Sequence, residues 1–109
     1  MRIYETRIGR FRILRGRTAA DNEILTHGIA RSSDLLFHAA GMPGAHIVLQ
    51  GEDPSPEVIR IAADTAARHS KGSKRRIKIL YTMIRNVSRG SAIGQVKIRH
   101  AKTIMGMRE

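Results

Sequence analysis

Residues 53–72 read DPSPEVIRIAADTAARHSKG, and they predict the one long helix of the chain. Ser55 is a preferred capping residue, and Pro56 suits the first helical position because no backbone N–H is needed there. Gly72 is a typical stop after the last turn. One helical face is apolar and mostly small, consisting of Ile59, Ala62, Ala63, Ala66 and Ala67. Because alanine occupies little space, we expect this face to lie close on a sheet.

Segments with the features of strands lie on both sides of this helix. They alternate polar and apolar side chains or are bounded by glycine and proline, and they cover residues 2–8, 10–16, 34–39, 45–50, 76–88, 95–100 and 102–107. The last two look like a final strand pair. Residues 20–30 predict a short helix with Ile24 and Leu25 turned inward. The order predicts a single α+β domain over residues 1–109, with a mixed or antiparallel sheet, one long Ala-rich helix and one short helix.

The composition excludes several classes of protein. Of 109 residues, 41% are hydrophobic, which suffices for one modest core. There is no cysteine, so disulfide frameworks, thiolate metal sites and cysteine nucleophiles are excluded. No apolar run approaches the roughly 20 residues that span a bilayer, and the first residues do not read as a signal peptide. We expect a soluble, cytoplasmic protein with no membrane partner.

The charge points to a polyanionic partner. Twenty Lys and Arg against nine Asp and Glu give a formal net charge of +11. Both ends of the chain are basic and the middle is acidic, so the folded molecule should have one basic side. The strongest candidate patch has no acid between its members, which are Arg68, Lys71, Lys74, Arg75, Arg76 and Lys78. A second group lies in the N-terminal hairpin and alternates faces: Arg10, Arg12, Arg15 and Arg17.

A polar cluster surrounds the Gly-Met-Pro-Gly turn at residues 41–44. Strand alternation places Asp34 and His38 on one face, and His46 reaches His38 if the two strands pair antiparallel. Three interpretations stay open. The histidines contact RNA phosphates or bases, the three side chains bind a metal, or an Asp–His hydrogen bond stabilises the hairpin.

Signals for catalysis and for base stacking are weak. The sequence has neither a nucleophilic-serine elbow nor a Walker loop, and no catalytic residue or cofactor is predicted. Only two Tyr, two Phe and no Trp are present, which argues against a broad stacking platform. An interface built mainly on phosphate contacts fits this composition better.

The order of several motifs resembles a known family. They are Gly16-Arg17, Asn22-Glu23-x-Leu25-Thr26, Asp34-Leu35-Leu36-Phe37-His38-Ala39, Pro43-Gly44-Ala45-His46-Ile47-Val48, Ser70-Lys71, Tyr81-Thr82 and Gly94-x-Val96. Together they resemble the NFACT-R domain, the RNA-binding domain of NFACT proteins, over about residues 9 to 105. Leu36 stands where the family usually has Trp, and Ala45 where it usually has Ser. The absent Trp would remove a possible stacking surface.

The resemblance implies a non-enzymatic domain that binds structured RNA in ribosome-associated quality control. The expected partners are tRNA and large-subunit ribosomal RNA, with the ribosome itself as a further partner. The residues predicted to bind RNA are Arg17, Asn22, Asp34, His38, Gly44, His46, Arg68, Lys71, Lys74, Arg75, Arg76 and Lys78. Two alternatives remain: a metal-dependent RNA-processing enzyme using Asp34, His38 and His46, and a ribosome-docking protein without affinity for free RNA.

Overall fold

The computed structural model describes residues 2–108, and its main feature is a six-stranded antiparallel sheet. Two further strands form a second sheet, so these residues contain eight strands in all. In chain order they are β1 (Ile3–Ile8), β2 (Phe11–Gly16), β3 (Leu35–Ala39), β4 (Ile47–Gln50), β5 (Arg76–Met83), β6 (Val87–Arg89), β7 (Val96–Ile98) and β8 (Lys102–Met107). In space the large sheet runs β1-β2-β4-β3-β5-β8, and β6 and β7 form a separate antiparallel pair. The helices are α1 (Ala19–Ile24) and α2 (Pro56–Arg68). The predicted α+β class, with one long and one short helix, is confirmed.

Helix α2 covers one face of the sheet. The Ser55 side chain caps it by accepting a hydrogen bond from the Val58 N–H at 3.3 Å, and Pro56 occupies the first position as predicted. Its four predicted alanines are buried against a sheet face that is also apolar, with Phe11, Ile13, Phe37, Ile47, Leu49, Ile77 and Ile79. Gly106 of β8 lies directly beneath the helix, where a Cβ would come within 2.5 Å of the Ala63 carbonyl oxygen. Small residues on both surfaces therefore let the helix and the sheet approach closely.

The end of α2 differs from the prediction. The helix ends at Arg68, so Gly72 is not its stop. Past this point the backbone pairs with the Pro43-Gly44 turn: Ser70 forms an antiparallel bridge with Gly44, and Lys71 N–H donates to the Pro43 carbonyl at 2.9 Å. This pairing takes up backbone groups that a longer helix would have used.

A second, smaller core lies on the other face of the sheet. Its buried residues are Leu14, Leu25, Leu36 and Val48, with Val87, Val96 and Ile98 packed against them. Helix α1, the π-helical turn that follows it (Leu25–Ile29) and the β6–β7 pair provide this cover. Leu36 is fully buried, so its position belongs to the core and does not offer a stacking surface.

The short helix predicted over residues 20–30 exists as two consecutive helical parts, α1 and a π-helical turn over Leu25–Ile29. Thr18 caps α1 by accepting from the Asp21 N–H at 3.1 Å, and the chain passes into the π-helical turn after Ile24. Leu25 is buried as predicted, but Ile24 points outward with 42% of its surface exposed. Within residues 2–108, neither helix is long and apolar enough to cross a membrane.

The prediction of one continuous strand over residues 76–88 is wrong. Strand β5 ends at Met83, and residues 84–86 form a 3-10 turn. Here Ile84 N–H donates to the Asp34 carbonyl at 2.8 Å, and Arg85 N–H donates to the Ser32 carbonyl at 3.0 Å. These two bonds hold the turn on the chain that enters β3, and β6 then leaves the large sheet.

The two last predicted strands exist but do not pair with each other. Strand β7 pairs with β6, whereas β8 pairs with β5 at the edge of the large sheet. Between them His100 adopts a positive φ of 56°, a conformation uncommon outside glycine. This reversal carries the chain from the small sheet back to the large one.

Replacing Gly106 with Ala tests the close packing of α2 on β8. The added methyl would meet the helix backbone, which cannot move as a side chain can, so we expect a loss of about 1–3 kcal/mol in unfolding free energy. Gly28→Ala is the matched control, because a Cβ there meets nothing within 4 Å. Urea denaturation measures both variants. Equal stabilities would contradict the packing described for Gly106.

Candidate nucleic-acid interface

A groove of about 1170 Å³ opens at the end of the large sheet, where β2 and β3 end and β4 begins. Four segments that are distant in sequence enclose it: residues 15–19, 41–45, 69–71 and 90–98. His38, Ala39 and Leu80 contribute from the sheet itself. The groove is therefore shaped by loops held on a rigid sheet, an arrangement typical of binding sites.

The Pro43-Gly44 turn forms one wall and is tied to the end of α2. Besides the bridge between Gly44 and Ser70, Ala45 N–H donates to the His69 carbonyl at 3.0 Å. A Cβ on Gly44 would lie 3.2 Å from the Ser70 Cα atom, so a larger residue would push the two segments apart. This pairing places the Lys71 side chain at the groove beside the turn.

His38 and His46 lie side by side across the β3–β4 hairpin. Because Phe37 pairs with Ile47, the two histidines are opposite each other, and their ring centroids are 5.4 Å apart in an edge-to-face arrangement. The predicted approach of the two imidazoles is confirmed. His38 lines the groove, whereas His46 is only 1% exposed and lies behind it.

The buried His46 connects several elements through hydrogen bonds. Its Nδ1 lies 2.7 Å from the Thr26 hydroxyl, and its backbone N–H donates to the Asn22 side-chain oxygen at 3.3 Å. Gly16 makes room for Asn22, since a Cβ at Gly16 would lie 2.3 Å from the same amide oxygen. Thr26 and Asn22, two residues of the predicted motif, thus act by orienting a histidine.

Both imidazoles are neutral near physiological pH. Burial lowers the pKa of His46 to about 4, with a further lowering from the neighbouring His38, while a backbone hydrogen bond with Gly94 opposes the shift. Burial also lowers the pKa of His38, against backbone hydrogen bonds with Ala39 and Gly44. His38 thus offers the groove a flat polar ring, not a cation.

The opposite wall is a loop over residues 90–95 that is anchored to α1. Gly94 N–H donates to a Glu23 carboxylate oxygen at 3.1 Å, and the same carboxylate forms an ion pair with Arg89. Gly94 has a φ of 82°, and a Cβ there would collide with Ala19. Glycine is therefore required for this loop to lie against the helix.

The lining of the groove is cationic. Arg15, Arg17, Lys71 and Lys97 line it, and no Asp or Glu of residues 2–108 does. The Arg15 guanidinium also stacks over the Tyr4 ring, 4.3 Å from its centroid. Because like charges meet in a concave site without opposing carboxylates, the groove attracts anions.

Comparison with known proteins identifies the family. The family described as "NFACT protein RNA binding domain" matches residues 1–100, which is most of the chain. The chain belongs to this family. The predicted resemblance to the NFACT-R domain is confirmed, and the family is one of RNA-binding domains.

Several proteins with the name "Rqc2 homolog RqcH" are similar to this NFACT-R domain. The one from Bacillus subtilis strain 168 is 34% identical over 87 residues, which is 79% of this chain and 15% of that protein. The one from Streptococcus pneumoniae strain R6 is 47% identical over 58 residues, 52% of this chain and 10% of that protein. The chain thus spans a small part of the length of these relatives.

A solved structure has the same fold. It is the C-terminal part of the fibronectin/fibrinogen-binding protein from Streptococcus suis, and it matches with a TM-score of 0.86 and 31% sequence identity. The match covers 94% of this chain and 44% of that one. The arrangement of strands and helices described above is therefore shared with a solved relative.

The structure brings together part of the predicted RNA-binding set of the NFACT-R domain. Five of its residues line the groove: Arg17, Asn22, His38, Gly44 and Lys71. Another five lie outside the groove: Arg68, Lys74, Arg75, Arg76 and Lys78. Of these, Arg76 borders a separate cavity together with Arg60. The site is thus built more from the sheet end than from the basic stretch after α2.

Asp34 lies apart from the histidines. It is four residues from His38 along β3, about 13 Å at the usual rise of a strand. Its carboxylate is buried and accepts hydrogen bonds from the Arg31 N–H and the Gln50 side-chain amide, both at 2.8 Å. No group of three His, Cys, Asp or Glu side chains in residues 2–108 is placed to hold a metal ion. The three-residue metal site considered from sequence is therefore not assembled.

Two cations of the groove, Arg15 and Lys97, are not among the predicted RNA-binding residues. Arg15 belongs to the N-terminal group of arginines, which alternate between the two faces of the hairpin, so the sequence did not show which of them share a surface. Lys97 reaches the groove because β7 pairs with β6 and not with its neighbour in sequence, β8. No local sequence pattern indicates that Lys97 lines the same groove as Arg17, so this part of the site could not be predicted without the tertiary structure.

The low pKa of His46 predicts a stability that falls on acidification. The folded state disfavours protonation of this imidazole, so the unfolded chain binds the extra proton between pH 6.5 and about 4. The stabilisation, about 3 kcal/mol by the size of the shift, is complete above pH 6.5 and is lost as the pH falls toward 4. Urea denaturation at several pH values measures it.

His46→Gln is the variant that isolates this effect. It is expected to be less stable than the parent at pH 7 but to have a shallower dependence on pH over the same interval. His38 and His27, the other imidazoles acting on His46, are retained in both proteins. An unchanged pH profile in the variant would show that another group causes the acid sensitivity.

Proposed function

We propose that this NFACT-R domain binds RNA through the groove at the end of its sheet. The observation that carries the proposal is the meeting of four cationic side chains, without a carboxylate, in one concave site. Membership of a family of RNA-binding domains supports it. The ligand that best matches an excess of positive charge in a shaped groove is a nucleic acid.

In this proposal the cations contact phosphates. The four cations come from three of the segments that enclose the groove, since Arg15 and Arg17 share one and Lys71 and Lys97 lie on two others, so an RNA backbone crossing the groove meets more than one of them. Each neutralised phosphate releases counterions, and four contacts give a salt slope of about −3 for a single strand and about −4 for a duplex. His38 and Asn22, which are uncharged, supply polar contacts between the phosphates.

The basic residues outside the groove extend the interface in this proposal. Lys78 precedes Leu80 by two residues on β5, and Leu80 pairs with His38, so Lys78 faces the same side of the sheet as the groove. Lys74, Arg75 and Arg76 precede it, and Arg68 lies in the last turn of α2. We infer that these side chains contact the backbone of the same RNA beyond the groove. Asp34 and His46, which are buried, contribute to the shape of the domain.

The wider role in our proposal is in ribosome-associated quality control in the cytoplasm, with tRNA or large-subunit ribosomal RNA as the ligand. The relatives named "Rqc2 homolog RqcH" support this context. Two measurements in parallel separate the ligands: binding to isolated tRNA, and sedimentation with ribosomal subunits. If the domain sediments with subunits but binds neither isolated tRNA nor isolated large-subunit ribosomal RNA, docking on ribosomal protein is indicated instead.

Lys97→Ala tests the phosphate contacts. We expect weaker binding to RNAs of every sequence and a salt slope smaller in magnitude by about 1, because one phosphate contact is lost. Lys102→Ala is the matched control, since Lys102 is an exposed lysine on β8 outside the groove. Fluorescence anisotropy over a series of salt concentrations measures affinity and slope. Equal effects of the two substitutions would contradict binding in the groove.

His38→Ala tests the neutral polar contact. The loss of one hydrogen bond is expected to weaken RNA binding roughly two- to tenfold at unchanged salt slope. The domain should remain folded, because His38 is only partly buried at the groove. Binding is measured by anisotropy and folding by a thermal melt. A collapsed melting curve would assign His38 to the stability of the hairpin instead.

A further inference from the structure

We propose that the groove takes an unpaired segment of RNA, with a base against the apolar side chain of Ile93 and its phosphates on the surrounding cations. The inference rests on the proposed RNA binding and adds the form of RNA that is recognised. It also makes Ile93, on the loop over residues 90–95, a residue that determines specificity. A perfectly paired helix would be the poorer ligand.

The first observation is the apolar part of the lining. Alongside the cations, the groove presents Met42, Pro43, Leu80, Ile93, Val96 and Ile98. A site that only held phosphates would gain nothing from these side chains, since a phosphate is hydrated and charged. The flat faces of unpaired bases, in contrast, bury apolar surface when they enter such a site.

The second observation is the exposure of Ile93. At 69% it is the most exposed of the large hydrophobic side chains in residues 2–108. A single exposed isoleucine is common on protein surfaces, but this one lies on the wall of a cationic groove. Apolar side chains in that position are used by nucleic-acid-binding proteins to contact or separate bases.

The third observation is that hydrogen bonds within the protein hold the loop that carries Ile93 in place. Gly90 N–H donates to the Gln95 carbonyl at 2.8 Å, and Gln95 N–H donates to the Ala92 carbonyl at 3.0 Å. The Ser91 hydroxyl adds a bond of 2.9 Å to the Gln95 side chain. With Gly94 anchored on Glu23, the loop presents Ile93 in a defined position, which lowers the entropy lost on binding.

The shape of the groove also distinguishes the two forms of RNA. Its volume of about 1170 Å³ exceeds the roughly 300–1,000 Å³ of ordinary small-molecule pockets, so it has room for more than one nucleotide. A paired A-form helix exposes backbone and a shallow minor groove, while its bases stay stacked inside. Only an unpaired nucleotide can place a base within the groove beside His38 and Ile93.

His38 fits a base better than a phosphate. Its ring lines the groove next to Leu80 and Gly44. Since burial lowers its pKa, the ring is uncharged; with its single N–H directed to the backbone of the 39–44 segment, the other ring nitrogen can accept a hydrogen bond from a base edge. In this inference the four cations contact the phosphates, while His38 and the apolar side chains of the lining contact the base.

Three RNAs of matched composition test the inference: a fully paired hairpin closed by a stable tetraloop, the same hairpin with an unpaired bulge in its stem, and a single-stranded oligonucleotide. We expect the bulged and single-stranded RNAs to bind at least about fivefold more tightly than the closed hairpin in fluorescence anisotropy. With 2-aminopurine at the bulge, binding should change its fluorescence, because the base leaves the stack.

Ile93→Ala should weaken binding of the bulged RNA about five- to tenfold, in line with the loss of several buried methyl and methylene groups, and reduce the 2-aminopurine signal. It should leave the closed hairpin and the salt slope unchanged. Ile24→Ala is the matched control, since Ile24 is an exposed isoleucine outside the groove and should change none of these values.

The outcomes separate the inference from the proposed function. Equal affinity for all three RNAs, or an equal loss on all three with Ile93→Ala, would overturn the inference while leaving RNA binding intact. Absence of binding to any of the three RNAs and to tRNA would overturn the proposed function and the inference with it.

Discussion

The burial of a neutral imidazole at residue 46 is the constraint on which the groove depends. This side chain meets Thr26 of the π-helical turn, the Gly94 backbone of the loop opposite and the His38 ring, while its own backbone N–H is held by Asn22. These partners belong to four different elements: the π-helical turn, the 90–95 loop, β3 and α1. A polar group removed from water must find such partners, and here satisfying one ring fixes the relative positions of α1, the β3–β4 hairpin and the 90–95 loop.

The groove combines cationic and apolar side chains in one lining. Cations from the end of β2, from the segment after α2 and from β7 surround a lining that is largely apolar. The charges supply attraction that acts at a distance and does not depend on sequence, whereas the apolar lining acts only on contact. The small number of aromatic residues does not exclude contacts with bases, because aliphatic side chains and an uncharged imidazole line the groove.

Features encoded within a short stretch of sequence could be predicted. The cap at Ser55, the alanine face of α2 and the meeting of His38 with His46 follow from helical spacing and strand alternation, which are local properties. Features that depend on which segments pair could not. The 3-10 turn at 84–86 replaces a strand because its N–H groups find carbonyls near Asp34, and Lys97 enters the site because β7 pairs with β6. The burial of Leu36 likewise could not be predicted, because this side chain packs in the second core, which segments distant in sequence form together.

The register of β3 against β4 also has a consequence for misfolding, because the two faces of this hairpin differ in polarity. Alternation places His38 and His46 on one side and Phe37 and Ile47 on the other. A slip of β3 by one residue would turn His38 into the apolar layer beneath α2 and turn Phe37 away from that layer, so a misregistered hairpin would bury a polar ring and remove an aromatic ring from the core. The register of this hairpin and the position of the His38 ring at the groove are thus encoded by one and the same alternation of polar and apolar residues.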